Sequence, residues 1–182
     1  MSHSPAADDP RPSSRAHHHR RSAITDVPTA IVTVSDTRTA ETDTGGQRVF
    51  DLLTEAGHRV AQREIVPDEP EKIAGSLEAL LDRGDVRAVI LTGGTGVAPR
   101  DRTPEAIAPL LERVIPGFGE LFRMLSYEDI GSAALLSRAL AGMSRGVVVF
   151  ALPGSRGAVQ LAMEKLILPE LGHLVAEAAK TR

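Results

Sequence analysis

A chain of 182 residues that is 42% hydrophobic carries enough apolar material for one packed domain. A net charge of −3 excludes a broad basic field for nucleic acid or anionic membrane, and four Phe, one Tyr and no Trp leave little to stack single-stranded bases on. The absence of Cys excludes disulfides, a thiolate nucleophile and Cys metal sites, and no apolar run approaches the ~20 residues of a membrane span, so a soluble cytoplasmic protein is expected.

Residues 1–26 are rich in Ser, Pro, Arg and His, with His17, His18 and His19 in a row, and are read as a disordered tail before a domain over 27–182. Residues 29–34 form a first strand that exits into Ser35 and Asp36. The next helix buries Val49, Leu52 and Leu53 and stops at Gly57. Residues 60–66 form a second strand, with Asp68 beyond its carboxyl end, and a helix follows with Ile73, Leu77, Leu80 and Leu81 on one face. Residues 86–91 form a third strand. A helix is expected from Pro104 to about Val114, another over 118–129 and a third over 132–141 carrying Ser137 and Arg138. Residues 146–152 form a last strand, then a helix from about Ala158 that Pro169 interrupts, then a final helix to about Ala179. Strands alternating with helices predict an α/β fold: a parallel sheet with helices on both faces.

In such a sheet the strand exits gather along one edge, where ligands bind. Four exits are informative: Ser35-Asp36, Asp68, Thr92-Gly93-Gly94-Thr95-Gly96 continuing to Arg100 and Asp101, and Pro153-Gly154-Ser155. The glycines let backbone approach a ligand closely, and free N–H groups there suit phosphate oxygens. Pro99 breaks a dinucleotide fingerprint, and no Gly-Lys-Ser/Thr follows to make a P-loop. Thr103, Pro104 and Glu105 read as N-cap, first helical position and first-turn acid. Asp101 reads as an acid that positions a metal or a nucleophile, or as a loop acid bonded to local N–H groups or to Arg100. Asp68 reads as a ligand or a turn residue, Arg138 as a ligand contact or a helix ion pair, and Ser35 and Asp36 as ligands or turn caps. His58 and His173 are placed on the surface, away from the exits.

Thr92-Gly-Gly-Thr-Gly-Val-Ala-Pro-Arg-Asp-Arg-Thr-Pro-Glu105 resembles the signature of the MoaB/Mog family of molybdenum cofactor proteins. Ser35-Asp36-Thr37, Pro67-Asp68-Glu69, Pro116-Gly-Phe-Gly-Glu-Leu-Phe-Arg123, Leu136-Ser-Arg138 and Leu152-Pro-Gly-Ser155 match its other motifs in order. Ser126-Tyr-Glu-Asp-Ile-Gly131 is similar to the MoaB branch. The resemblance implies a three-layer α/β/α fold with a mostly parallel sheet, binding of molybdopterin, and a homotrimer or homohexamer. It implies adenylylation of molybdopterin with Mg-ATP and release of pyrophosphate, or a non-catalytic binding or scaffold role in the same pathway. Carried over, Asp68 and Asp101 are the catalytic and Mg²⁺-holding acids. Ser35, Asp36, Thr92, Gly93, Gly94, Thr95, Gly96, Ser137, Arg138, Pro153, Gly154 and Ser155 line the substrate site.

Overall fold

The computed structural model describes residues 24–180. The tail expected over 1–26 therefore lies outside the described residues, apart from 24–26. Chain order is β1 (Thr29–Val34), α1 (Thr44–Glu55), β2 (Val60–Val66), α2 (Pro70–Leu81), β3 (Ala88–Thr92), α3 (Thr103–Ile107), β4 (Arg113–Val114), α4 (Pro116–Ile130), β5 (Leu140–Ser144), β6 (Val147–Leu152), α5 (Arg156–Ala162) and α6 (Leu168–Ala178). One six-stranded sheet has the order β2-β1-β3-β6-β5-β4. The first four strands are mutually parallel, and β5 and β4 join antiparallel.

Period-two alternation divides the core into two layers. Ile31, Ile90, Phe150 and Leu152 pack with α1, α4, α5 and α6 on one face, while Ala30, Val32, Val89, Leu91 and Val149 pack with α2 and α3 on the other. β1, β3 and β6 are buried throughout, as expected of parallel strands covered on both sides. The expected three-layer, mostly parallel α/β/α architecture is the one observed.

Two expected helices do not form as read. The helix from Pro104 ends at Ile107 and passes through a 3₁₀ turn at Ala108–Leu110. Arg113 and Val114, placed at its end, instead pair with Met143 and Gly142 as an edge strand. Gly142 makes this possible, because a Cβ there would sit 2.7 Å from Arg113 O. The helix expected over 132–141 is a 3₁₀ stretch, Gly131–Leu136, followed by β5. A two-residue turn joins β5 to β6, with positive φ at Arg145 (49°) and Gly146 (76°). That is the backbone a type I′ hairpin needs, so Gly146 belongs to the turn rather than to the last strand. Pro169 does not end the C-terminal helix either: a π-helical turn at Met163–Ile167 absorbs it, and the helix continues as α6.

Candidate functional site

The sheet order places the exits of β1, β3 and β6 side by side. Between them opens a cleft of ≈ 440 Å³, lined by Ser35, Thr92, Gly93, Gly94, Gly154 and Ser155 among others. Gly93 has φ 103°, and a Cβ there would strike Val34 O, so only glycine lets this loop lie against the end of β1. Ser155 caps α5 by accepting from Ala158 N at 3.3 Å, which turns the start of that helix toward the cleft.

The carboxylates stand beside the glycine loop. A Cβ on Gly94 would lie 3.2 Å from Asp68 Oδ1, and one on Gly96 would lie 2.6 Å from Asp101 Oδ2. Asp68 and Asp101 therefore flank the same glycine loop. Asp36 Oδ1 accepts from Asp68 N at 3.1 Å, and its Oδ2 bonds Arg100. Burial pushes the Asp68 carboxyl above its ordinary range, the negative charge of Asp36 adds to the push, and Asp101 adds more; Arg100 and a backbone N–H offset only part of this. Asp101 also bonds locally, accepting from Ala98 N at 2.9 Å.

The other expected contacts sort differently. Arg138 is not on a helix and does not reach into the cleft. Its Nε donates to Gly96 O at 2.7 Å, its Nη atoms bond Asp101 O and Glu105, and its backbone N donates to Thr95 O at 2.9 Å. It clamps the loop, and the bond holds the Glu105 carboxyl below its ordinary range. Ser35 caps its own turn, accepting from Thr37 N and Arg38 N at 3.2 Å. Thr103 is not the N-cap of α3; its hydroxyl donates to Gly93 O at 2.9 Å and staples the loop from beneath. Ser137 and Pro153, with Thr95, Gly96 and Ser155, line a second cavity beside the cleft. His58 is half-buried rather than on the surface, accepting from Val27 N at 3.3 Å, and burial pushes its pKa down. His173 pairs with Glu170 and Glu177 on α6.

Sequence reasoning missed Asp43. It is 3% exposed, caps α1 by accepting from Gly46 N at 2.8 Å, accepts from Thr33 Oγ1 at 2.8 Å, and pairs with Arg63 at 3.2 Å. Thr92 Oγ1 stands 3.5 Å from Thr33 Oγ1, so this network underlies the cleft floor. Its signal was present, an acid directly before Thr44-Gly45-Gly46 at a helix start.

The family model described as "Probable molybdopterin binding domain" matches residues 30–173. The chain belongs to this family. Within it, the chain is 55% identical over 160 residues to molybdenum cofactor biosynthesis protein B of Bacillus cereus, covering 87% of this chain and 95% of that one. A crystal structure of a molybdenum cofactor biosynthesis protein B superposes with a TM-score of 0.84 at 55% identity, over 86% of this chain and 98% of that chain. The tungsten cofactor synthesizing protein MoaB from Pyrococcus furiosus superposes at 0.78 with 35% identity, over 87% and 100% of the two chains. The family expected from the motifs is thus the one found.

Proposed function

We propose that the protein acts in molybdenum cofactor biosynthesis, binding molybdopterin in the cleft and adenylylating it with Mg-ATP. The observation that carries this is the pair of half-buried carboxylates, Asp68 and Asp101, beside the glycine loop of a cleft in a molybdopterin-binding domain. The reaction is a displacement at phosphorus. A phosphate oxygen of molybdopterin bonds to the α-phosphorus of ATP, the bond from that phosphorus to the bridging oxygen breaks, and pyrophosphate leaves with the electron pair. A phosphate monoester is already anionic at neutral pH, so no general base is required, in keeping with a cleft lining that includes neither His58 nor His173. What the protein supplies is position and relief of repulsion between two anions.

Among the described residues no cluster of three or more metal-ligating side chains occurs. Mg²⁺ does not need one, since it takes one or two carboxylates and completes its shell with phosphate oxygens and water. Asp68 and Asp101 suit that role, and Mg²⁺ bound there would supply positive charge to the facing phosphates. Backbone N–H groups of the glycine loop and the start of α5 would hold phosphate oxygens, and Arg138 and Thr103 would keep the loop in shape.

The proposed assembly is a homotrimer or homohexamer. Leu121, Met124, Tyr127 and Ile130 of α4 are exposed, and Leu135 and Leu136 extend the same apolar stretch. Purified protein incubated with molybdopterin and Mg-ATP should release pyrophosphate and form the adenylylated pterin, and Asp101→Asn should not. Tight molybdopterin binding without pyrophosphate release would leave a binding or scaffold protein of the same pathway.

A further inference from the structure

A groove of ≈ 460 Å³ runs between α4 and the helix formed by α5 and its π-helical turn, lined by Leu125, Glu128, Asp129, Leu161, Glu164 and Lys165 among others. It shares no residue with the cleft or with the cavity beside it, and none of the exposed apolar residues of α4 lines it. Leu125 and Leu161 are half-buried, whereas the three acids and Lys165 are exposed, so apolar carbon lies between walls of net negative charge. Among the described residues Glu128, Asp129 and Lys165 enter no ion pair, and Glu164 meets Arg48 of α1 at 3.4 Å. Glu164 and Lys165 stand on the π-helical turn, a distortion that recurs where helices carry function.

The chain supplies a segment of opposite charge. Residues 15–21 hold Arg15, Arg20, Arg21 and the three histidines, with no acid among them, and they lie ahead of the family match at 30–173. They lie outside the described residues, but the point where the chain enters the fold is fixed. Ile24 N donates to Gly172 O of α6 at 3.4 Å, and a Cβ on Gly172 would strike Ile24 O. Gly172 and Glu164 stand on one continuous helical run, about 12 Å apart at a rise of ~1.5 Å per residue. At up to ~3.4 Å per residue, Arg21 reaches about 10 Å from Ile24 and Arg15 about 30 Å, so the groove lies within that span.

We propose that the groove between α4 and the π-helical turn is a docking site for the chain's own basic segment, residues 15–21. Arginine suits such a surface, because its stem can lie on Leu125 and Leu161 while its guanidinium meets Glu128, Asp129 or Glu164. The anchor at Ile24 makes the contact intramolecular, which raises the effective concentration of the segment and lets individually weak surface pairs act together. The docking is independent of the reading of the cleft.

The absence of Cys allows a clean disulfide-trapping test on the full chain. Ala16→Cys is paired with Gln160→Cys on the groove, or with Glu55→Cys as a control. Glu55 ends α1, close in sequence to Arg59, which pairs with Asp26 at 3.7 Å, so the control position also lies near the entry of the chain. Under diamide, the groove pair should close within one molecule about tenfold faster than the control pair. Glu128→Lys with Asp129→Lys, both at exposed positions, should bring the groove pair down to the control rate with an unchanged thermal midpoint. Adding Arg15→Glu, Arg20→Glu and Arg21→Glu to that background should restore the fast rate, which a merely structural effect of the reversed acids would not do. Equal rates for the two pairs would overturn the proposal, as would a groove-pair rate indifferent to the charge reversal. Disulfides joining two chains in place of the intramolecular product would overturn the seat within one chain.

Discussion

Two acids near the cleft, Asp43 and Asp68, behave in opposite ways. Asp43 is buried and satisfied on every side by Thr33, Gly46 N and Arg63. Asp68 is half-exposed and faces Asp36 and Asp101, so burial and like charge push its pKa up. The first arrangement stabilises the fold. The second lowers stability and leaves a carboxylate that gains by meeting a cation. Clusters of like charge at the mouth of a cleft are how sites prepare for a ligand of opposite sign, and the fold tolerates this one because the network beneath it is complete.

The contrast can be broken from either side. The largest effect is expected for Asp101→Asn, which should lower adenylylation by about a thousandfold with an unchanged thermal midpoint; steady-state pyrophosphate release and a melting curve measured together decide this. Asp43→Ala should do the reverse, costing roughly 2–4 kcal/mol in urea unfolding through loss of the helix cap and the stranding of Arg63. A variant that unfolds like the wild type would show the Asp43 network to be dispensable. Arg138→Met removes the clamp on the loop but leaves both carboxylates beside it, so kcat/KM should fall by between about ten- and a hundredfold. The smallest effect is expected for Asp36→Asn. It removes one of the charges that raises Asp68, so the acid limb of Mg²⁺-dependent binding should move to lower pH. The move should be partial, because burial, the larger cause, remains.

Much of this was legible in the sequence. Apolar runs such as Ala30 to Val32 and Val147 to Phe150 declared the buried parallel strands, and their polar exits declared the edge where the site lies. The antiparallel half was not legible from local pattern. Leu110, Leu111 and Val114 have helical spacing, yet pairing with β5 overrides it, and that pairing depends on a missing Cβ at Gly142 far along the chain. Arg145-Gly146 was the readable sign of the hairpin. The roles of Arg138 and Thr103 were hidden for a related reason. Arg138 lies in a motif position that suggests ligand contact and Thr103 in one that suggests a helix cap, but their bonds run to loop carbonyls, which only the folded geometry reveals.

The most direct test of the contrast is Asp68→Asn, with turnover and unfolding followed on the same protein. Because the folded state raises the Asp68 pKa, ionised Asp68 lowers stability at neutral pH, and this penalty shrinks as pH falls through the folded-state value and is gone below the unfolded-state value. The amide removes the penalty. Asp68→Asn should therefore lose adenylylation while unfolding at neutral pH at the same or a higher urea concentration than the wild type, with the difference closing in acid. A variant that turns over normally and unfolds more easily would show that Asp68 serves the fold and not the chemistry.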